Sequence, residues 1–448
     1  MTKKRTSKFM KLGSLAVAAM MCLSLAVPAF ASNLSITDDP SKPAQAAINK
    51  VLKMPIGTNV PDATFQFDFT RVSVDGETGT ALNMPELPSR TVEFDSKTMT
   101  ASPAGTGVVS VNKETVNIVD GVVWPHAGIY VYEVEESDKT NESFIDDEYE
   151  NDLDVLRLSK AVYTVTVYIA NDDAVGLYVY AIEAHIKAND DSNKGEPVGK
   201  KVNPTPDPDG DGSRMIFTNI YVRNNGGGGD PEDPDEVDPG TPGKIDEFTV
   251  LKIEKEVRGA LGNREDKYFE FDVTVQAPVI GFDEPEKLRY VAYVMEMKGG
   301  ALTVVTSEDN YDGTILEDES NYKYIMFTPD GEETVNLKHG QWLAFINLPV
   351  GSSYTAEEAE SDPYNISHIL TLSGSVGSEI KNASTGYQWV GELANKALYI
   401  NTYGMTPPTG ISADNLPYAI LIVLAAVALA GYMALRFRRN AAQHPTSA

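Results

Sequence analysis

Leu251-Lys252-Ile253-Glu254-Lys255-Glu256-Val257-Arg258-Gly259 alternates apolar and charged residues with a period of two, the pattern of a half-buried β-strand. Residues two apart in a strand share a face. Leu251, Ile253 and Val257 therefore point one way, and Lys255 points with them, while Lys252, Glu254, Glu256 and Arg258 take the other side. One lysine is thus predicted inside an apolar core. The next periodic run agrees with a sheet: Phe269, Phe271, Val273 and Val275 alternate with Glu270, Asp272 and Thr274.

The same order of elements occurs earlier in the chain. Ile48, Lys50 and Leu52 form an opening strand with one inward lysine, and Phe65, Phe67 and Phe69 alternate with Gln66 and Asp68. Residues 162–169 are almost wholly β-branched or aromatic, and residues 177–180 answer them across a hairpin-like loop at 171–176. Each copy later has a strand ending in Glu-Glu, at Glu135-Glu136 and Glu357-Glu358. Each closes on a strand ending in asparagine, Phe217-Thr218-Asn219 and Tyr399-Ile400-Asn401. No segment between the two apolar ends sustains a 3.6-residue period, and 35 glycines and 26 prolines interrupt the chain, so the fold class is all-β. Between the copies, Gly226 to Gly229 and Asp230-Pro231-Glu232-Asp233-Pro234-Asp235 are too polar and too broken to bury anything, which predicts a linker over 224–244. The expected order is a polar stretch at 32–44, a first domain at 45–223, the linker, and a second domain at 245–404.

Both ends carry targeting patterns. Lys3, Lys4, Arg5 and Lys8 precede an apolar segment at 12–27 that ends in Ala29-Phe30-Ala31, which predicts a signal peptide over residues 1–31. The single cysteine, Cys22, lies inside it, so the exported part has no disulfide. At the other end, Thr406-Pro407-Pro408-Thr409-Gly410 precedes an uncharged apolar run at 416–435 and then Arg436, Arg438 and Arg439. At ~1.5 Å per residue such a helix spans roughly 30 Å, one hydrocarbon core, and the arginines hold its far end in the cytoplasm. This ending, residues 405–439, resembles the cell-wall sorting signal of Gram-positive surface proteins. The resemblance implies that a sortase cuts between Thr409 and Gly410 and passes the threonine carbonyl to an amine, so the membrane helix is a temporary anchor. Thr406 stands where the commonest form of the signal has leucine, as in the looser signals of pilus-type sortases. A net charge of −28, from 65 acidic and 37 basic residues, argues against nucleic acid or an anionic surface as partner.

Alternation also places Glu136 on the face of Tyr130, Tyr132 and Val134, Glu358 with Tyr354 and Ala356, and Asn219 with Met215 and Phe217. The strand of Asn401 is apolar on both faces and leaves its direction open. Burial drives a lysine toward its neutral amine and a carboxyl toward its neutral acid. A neutral amine beside an asparagine amide polarised by a protonated glutamic acid attacks the amide carbon and expels ammonia, leaving an isopeptide bond. The other reading of these lysines is that their stems lie on the core edge and the ammonium groups reach solvent.

The order Lys, Glu, Asn, found twice, resembles the streptococcal-type major pilins with self-formed isopeptide bonds. The likeness covers most of residues 45–410 and is strongest in the second copy. There it rests on the opening stretch quoted above, on Val335-Asn336-Leu337-Lys338-His339-Gly340 leading to Asn347-Leu348-Pro349-Val350-Gly351, and on Asn401-Thr402-Tyr403-Gly404. It implies two tandem immunoglobulin-like β-sandwiches, with Lys50 bonded to Asn219 through Glu136 and Lys255 to Asn401 through Glu358. It also implies an acceptor lysine near the end of the first domain, best matched by Lys201 in Gly199-Lys200-Lys201-Val202, with Lys200 and Lys194 as alternatives. Asp207, Asp209, Asp211 and Gly212 open like a calcium loop, but Thr218 stands where a bidentate glutamate is required, so no metal site is assigned. The five histidines have no ligand spacing, no hydrolase motif occurs, and neither an enzyme of turnover nor a cofactor is expected. The expected function is a subunit of a covalently polymerised surface pilus. Its partners would be a pilus-type sortase, identical subunits joined head to tail, peptidoglycan, and minor pilins or host surface ligands. The alternative is a monomeric wall-anchored adhesin or minor pilin with the same fold.

Overall fold

The computed structural model describes residues 34–79, 82–138, 154–190, 192, 194–207, 212–224, 228–232, 239–259, 261–312, 315–404 and 416–441. The predicted signal peptide, Thr409 and Gly410 lie outside these residues. The first domain is built from two sheets. One runs in the order Ser35–Ile36, Gly176–Ala188, Val162–Asp172, Gly128–Glu136, Ala63–Val74, Arg90–Phe94, with Lys201–Val202 added beside Gly176–Ala188. The other runs Ser102–Gly105, Val108–Glu114, Asn49–Pro55, Ile216–Val222, Val155–Arg157. Inward residues of both meet in one core, in which Phe217 packs against Phe67 at 5.0 Å and Tyr163 at 5.3 Å between ring centroids. The predicted hairpin is present, with Gly176 opposite Asp172 and a positive φ at Gly176 that suits a residue without Cβ.

The second domain repeats this plan. Its nine-stranded sheet has at its centre the strands Tyr290–Lys298, Gln341–Phe345, Leu251–Arg258, Asn395–Tyr403 and Tyr364–Leu372, and a five-stranded sheet centred on Phe269–Gln276 and Ser353–Glu358 faces it. The all-β class and the tandem sandwiches expected from the sequence are what the chain forms, in the architecture that immunoglobulin-like domains share. In each domain the opening and closing strands lie side by side and run parallel, whereas the other described pairings are antiparallel. A parallel neighbour cannot be reached by a tight turn, so the whole domain is the connection between them.

The segment 224–244 corrects the expectation of a linker that buries nothing. Gly228, Pro231 and Pro239 are buried, Arg289 N–H donates to the Pro231 carbonyl at 2.8 Å, and Asn224 bridges to Pro349. Proline rings and bare glycine backbone pack well, and the intervening acidic residues hide that in composition. A short helix, Pro242–Phe248, follows, with Thr241 as N-cap and proline in its first turn. Its Ile245 is fully buried against Val291, Tyr293, Trp342 and Ile346 on the outer face of the nine-stranded sheet. That cover explains why Gln341–Phe345 is buried on both faces.

The two domains also touch directly. Glu392 Oε1 and Oε2 accept from Asn59 N–H at 2.7 Å and Asn59 Nδ2 at 2.6 Å, and Oε2 lies 3.2 Å from Arg223 Nη1. Arg157 and Asp283 form a second ion pair at 2.7 Å. Gly351, at a positive φ, sits so close to Pro55 that a Cβ would come within 2.1 Å of that ring. At the end of the described chain, Leu416–Ala441 is a helix whose Ile420, Leu421, Ile422, Val423 and Leu424 are exposed. Its side chains are described without a break only from Ile420 to Arg436. Among the described residues no helix is long and apolar enough to cross a membrane.

Candidate functional site

Parallel pairing of first and last strands brings the predicted residues together in the same way twice. In the first domain Phe217 lies opposite Lys50 and Asn219 opposite Leu52; in the second Tyr399 lies opposite Lys255 and Asn401 opposite Val257. Lysine and asparagine are therefore offset by one pleat on neighbouring strands and share the inward face. The glutamate comes from the facing sheet, where Glu136 pairs with Phe67 and Glu358 with Phe271.

The side chains meet there. Lys50 Nζ donates to Glu136 Oε2 at 2.7 Å and Asn219 Nδ2 to Glu136 Oε1 at 2.8 Å. Lys255 Nζ donates to both oxygens of Glu358, at 2.8 and 2.6 Å, and Asn401 Nδ2 donates to Glu358 Oε1. All four charged side chains have no solvent exposure. Asn401, whose direction alternation left open, points inward and is fully buried. Each ammonium lies over the Phe-x-Phe strand, with Lys50 4.6 Å from the Phe65 ring and 5.9 Å from Phe67, and Lys255 4.4 Å from Phe269 and 5.7 Å from Phe271. The aromatic pattern was visible in the sequence as core; its place as a wall of the lysine site was not.

Burial pulls both lysines down, to about 8, against the opposing attraction of Glu136 and Glu358. Burial likewise pushes the Glu358 carboxyl above its ordinary range although Lys255 and Asn401 work to lower it. Desolvating two ions costs several kcal/mol each, and apolar residues in their place are often as stable, so the pair contributes little net stability. What the arrangement does offer is reactivity. Moving one proton from lysine to glutamate leaves a neutral amine and a neutral acid beside an amide, with water excluded.

The two sites differ at the asparagine oxygen. Asn219 Oδ1 accepts the Ser159 main-chain N–H at 2.7 Å, whereas Asn401 Oδ1 is buried without a partner among the described residues. Nothing in the sequence marked Ser159, because a backbone donor leaves no trace in residue type.

The three candidate acceptor lysines are all in the described part. Lys201 lies opposite His185 in the added strand, and its Nζ is 2.7 Å from Glu183 Oε1, an oxygen that His185 also contacts. Burial pushes the Glu183 carboxyl up, but hydrogen bonds from Lys201 and His185 outweigh it and hold the group below the usual range. Lys200 pairs with Glu196, and Lys194 also has a partner. Exposure does not separate Lys201 from Lys200, at 42% and 43%. In the acidic insertion, Asp209 and Asp211 lie outside the described residues; Glu114 accepts the N–H groups of Asp207 and Ser213. Among described residues no cluster of histidine, cysteine or carboxylate could hold a metal.

Fold and site together define a class: a tandem β-sandwich protein in which each core encloses a lysine, glutamate and asparagine joining first strand to last. Residues 249–402 match a family model described as a domain of unknown function, DUF7601; these limits enclose Lys255, Glu358 and Asn401. No curated protein matches the chain. Among solved structures, the major pilin from Streptococcus pyogenes is similar at 17% identity and a TM-score of 0.30, over 81% of this chain and 99% of that one. The major pilin T3.2 from Streptococcus pyogenes serotype GAS13637 gives 16% and 0.29, over 83% and 99%. The pilus-presented adhesin Cpa gives 12% and 0.24, over 80% and 99%.

Proposed function

We propose that this protein is a structural subunit of a surface pilus, tied internally by Lys50–Asn219 and Lys255–Asn401 isopeptide bonds. The observation that carries this reading is the buried trio, present twice with the same strand offset and with lysine and asparagine both donating to the glutamate. In each site the glutamate takes a proton from the lysine, the freed amine attacks the asparagine Cγ, and the Cγ–Nδ2 bond breaks as the leaving nitrogen is protonated and departs as ammonia. Glu136 and Glu358 act once and on their own chain, so the protein is not an enzyme of turnover. A tie between first and last strands suits a subunit that must bear tension along its length.

Assembly follows from the sequence ends. A pilus-type sortase cleaves between Thr409 and Gly410 and joins Thr409 to Lys201 of the next subunit, after the helix at 416–435 has held the chain in the membrane; the last subunit passes to peptidoglycan. Lys201 and Lys200 each have a carboxylate beside the amine, Glu183 and Glu196, so the choice of Lys201 rests on its Gly199-Lys200-Lys201-Val202 context. The test has two parts. Intact-mass measurement of the exported chain should find two ammonias missing, and the full sequence mass would refute the bonds. A denaturing gel of cell-wall extract should show a ladder; a single band would instead assign a monomeric wall-anchored adhesin.

A further inference from the structure

We infer that the main-chain N–H of Ser159 is the oxyanion donor for the Lys50–Asn219 reaction, and that Asp190 is the positioning residue that holds it in place. This rests on the isopeptide reading above and adds a catalytic group that neither residue pattern nor trio contains. When the Lys50 amine adds to Cγ of Asn219, the C=O pair moves onto Oδ1, and negative charge appears there before the Cγ–Nδ2 bond breaks and ammonia leaves. A donor already aimed at that oxygen stabilises the charge without reorganisation. Ser159 N–H is such a donor: it lies 2.7 Å from Asn219 Oδ1 and 3.3 Å from Glu136 Oε2, in a residue that is itself buried.

The loop bearing this N–H is fastened at one point. Asp190 Oδ2 accepts from Ser159 Oγ at 2.7 Å, Lys160 N–H at 2.6 Å and Ala161 N–H at 3.0 Å. Asp190 Oδ1 accepts Ser192 N–H at 2.7 Å, and Ser192 Oγ lies 3.0 Å from Ser159 Oγ and accepts Thr218 N–H, next to Asn219, at 2.8 Å. One carboxylate thus ties the donor loop to the strand that carries the reacting amide. Burial pushes the Asp190 carboxyl up, yet its donors from Ser192, Ser159 and Lys160 hold it below the ordinary range, as an anchor that stays ionised.

The experiment follows both bonds in the full chain made by cell-free translation, sampled over time and digested, with the linked Lys50–Asn219 and Lys255–Asn401 peptides counted by mass. The second site is an internal control, because it has no such donor among the described residues. Ser159→Pro removes the N–H and should slow the first bond by about 10²–10³-fold, the loss seen when one oxyanion donor is deleted. Ser159→Ala keeps the N–H and should stay within about tenfold of wild type, the bond to Asp190 being lost but not the donor. Asp190→Ala should slow the first bond and Asp190→Asn, which keeps an acceptor oxygen, should restore most of the rate; the second bond should be unchanged throughout. A wild-type rate in Ser159→Pro overturns the inference. If that variant does not fold, judged by protease resistance against unlinked Glu136→Ala, a wild-type rate in Asp190→Ala overturns it instead, as does slowing in Asp190→Ala that Asp190→Asn fails to reverse. No first bond in the wild type would sink the isopeptide reading itself.

Discussion

Asn401→Ala isolates what the proposed second cross-link contributes. It removes the electrophile but leaves the Lys255–Glu358 pair, at 2.8 and 2.6 Å, in place, and it leaves no orphan behind because Asn401 Oδ1 has no partner among the described residues. The loss is then chiefly the constraint on the unfolded chain. A link from Lys255 to Asn401 closes a loop of about 147 residues, for which the chain-entropy relation gives about 5 kcal/mol at 25 °C. The lost hydrogen bond from Asn401 Nδ2 to Glu358 adds about 1–2 kcal/mol. At roughly 2–4 °C per kcal/mol for a domain of this size, the second-domain melting transition should fall by roughly 12–28 °C. Scanning calorimetry of the exported chain reads this directly, with the first-domain transition as reference. Asn219→Ala should lower that first transition by a similar amount, since its loop of about 170 residues costs only slightly more. A fall of less than about 5 °C, with the wild type retaining the ammonia of this site, would refute the cross-link and leave only a buried ion pair.

Glu358→Ala should be worse than Asn401→Ala, because it both abolishes the bond and leaves Lys255 buried without its partner; an additional loss of about 3–5 kcal/mol, read by denaturant unfolding, is expected. The rate of Lys255–Asn401 bond formation should fall above about pH 8, and fall again in acid, where the Glu358 carboxyl, raised by burial, is already protonated and cannot take the lysine proton. The ion pair and the reactive neutral pair hold the same number of protons, so pH does not shift one to the other; deprotonating the lysine near 8 removes the proton the glutamate must carry. A rate that keeps rising past pH 9 would contradict this. Lys201→Ala should leave folded monomer and no ladder, since its ion pair with Glu183 is 42% exposed on the lysine side and such pairs contribute only about 0–1 kcal/mol. Pulled between Lys201 and the C-terminal end of the second domain, wild type should show no extension from that domain, whereas Asn401→Ala should release up to about 500 Å of chain; equal traces would take the bond off the load path.

Alternation along single strands was enough to bury Lys50 and Lys255, to turn Glu136 and Glu358 inward and to recognise two copies of an all-β plan, because the side-chain period of a strand is a local property of the backbone. The hairpin at 171–176 was legible for the same reason. Alternation names a face, but not the partner strand or the register, which are settled by packing over the whole domain. Only the fold could therefore set Asn219 beside Leu52 and Asn401 beside Val257, one pleat from each lysine on a parallel neighbour. Asn401 was ambiguous in sequence because its strand is apolar on both faces, and the sandwich decides which of them meets Glu358. The seating of Gly228, Pro231 and Ile245 on the second domain, and the grip of Glu392 on Asn59 and Arg223, join residues far apart in the chain through backbone and shape. The Ser159 N–H belongs with these: every residue but proline carries that donor, and only tertiary structure can aim one at the Asn219 oxygen.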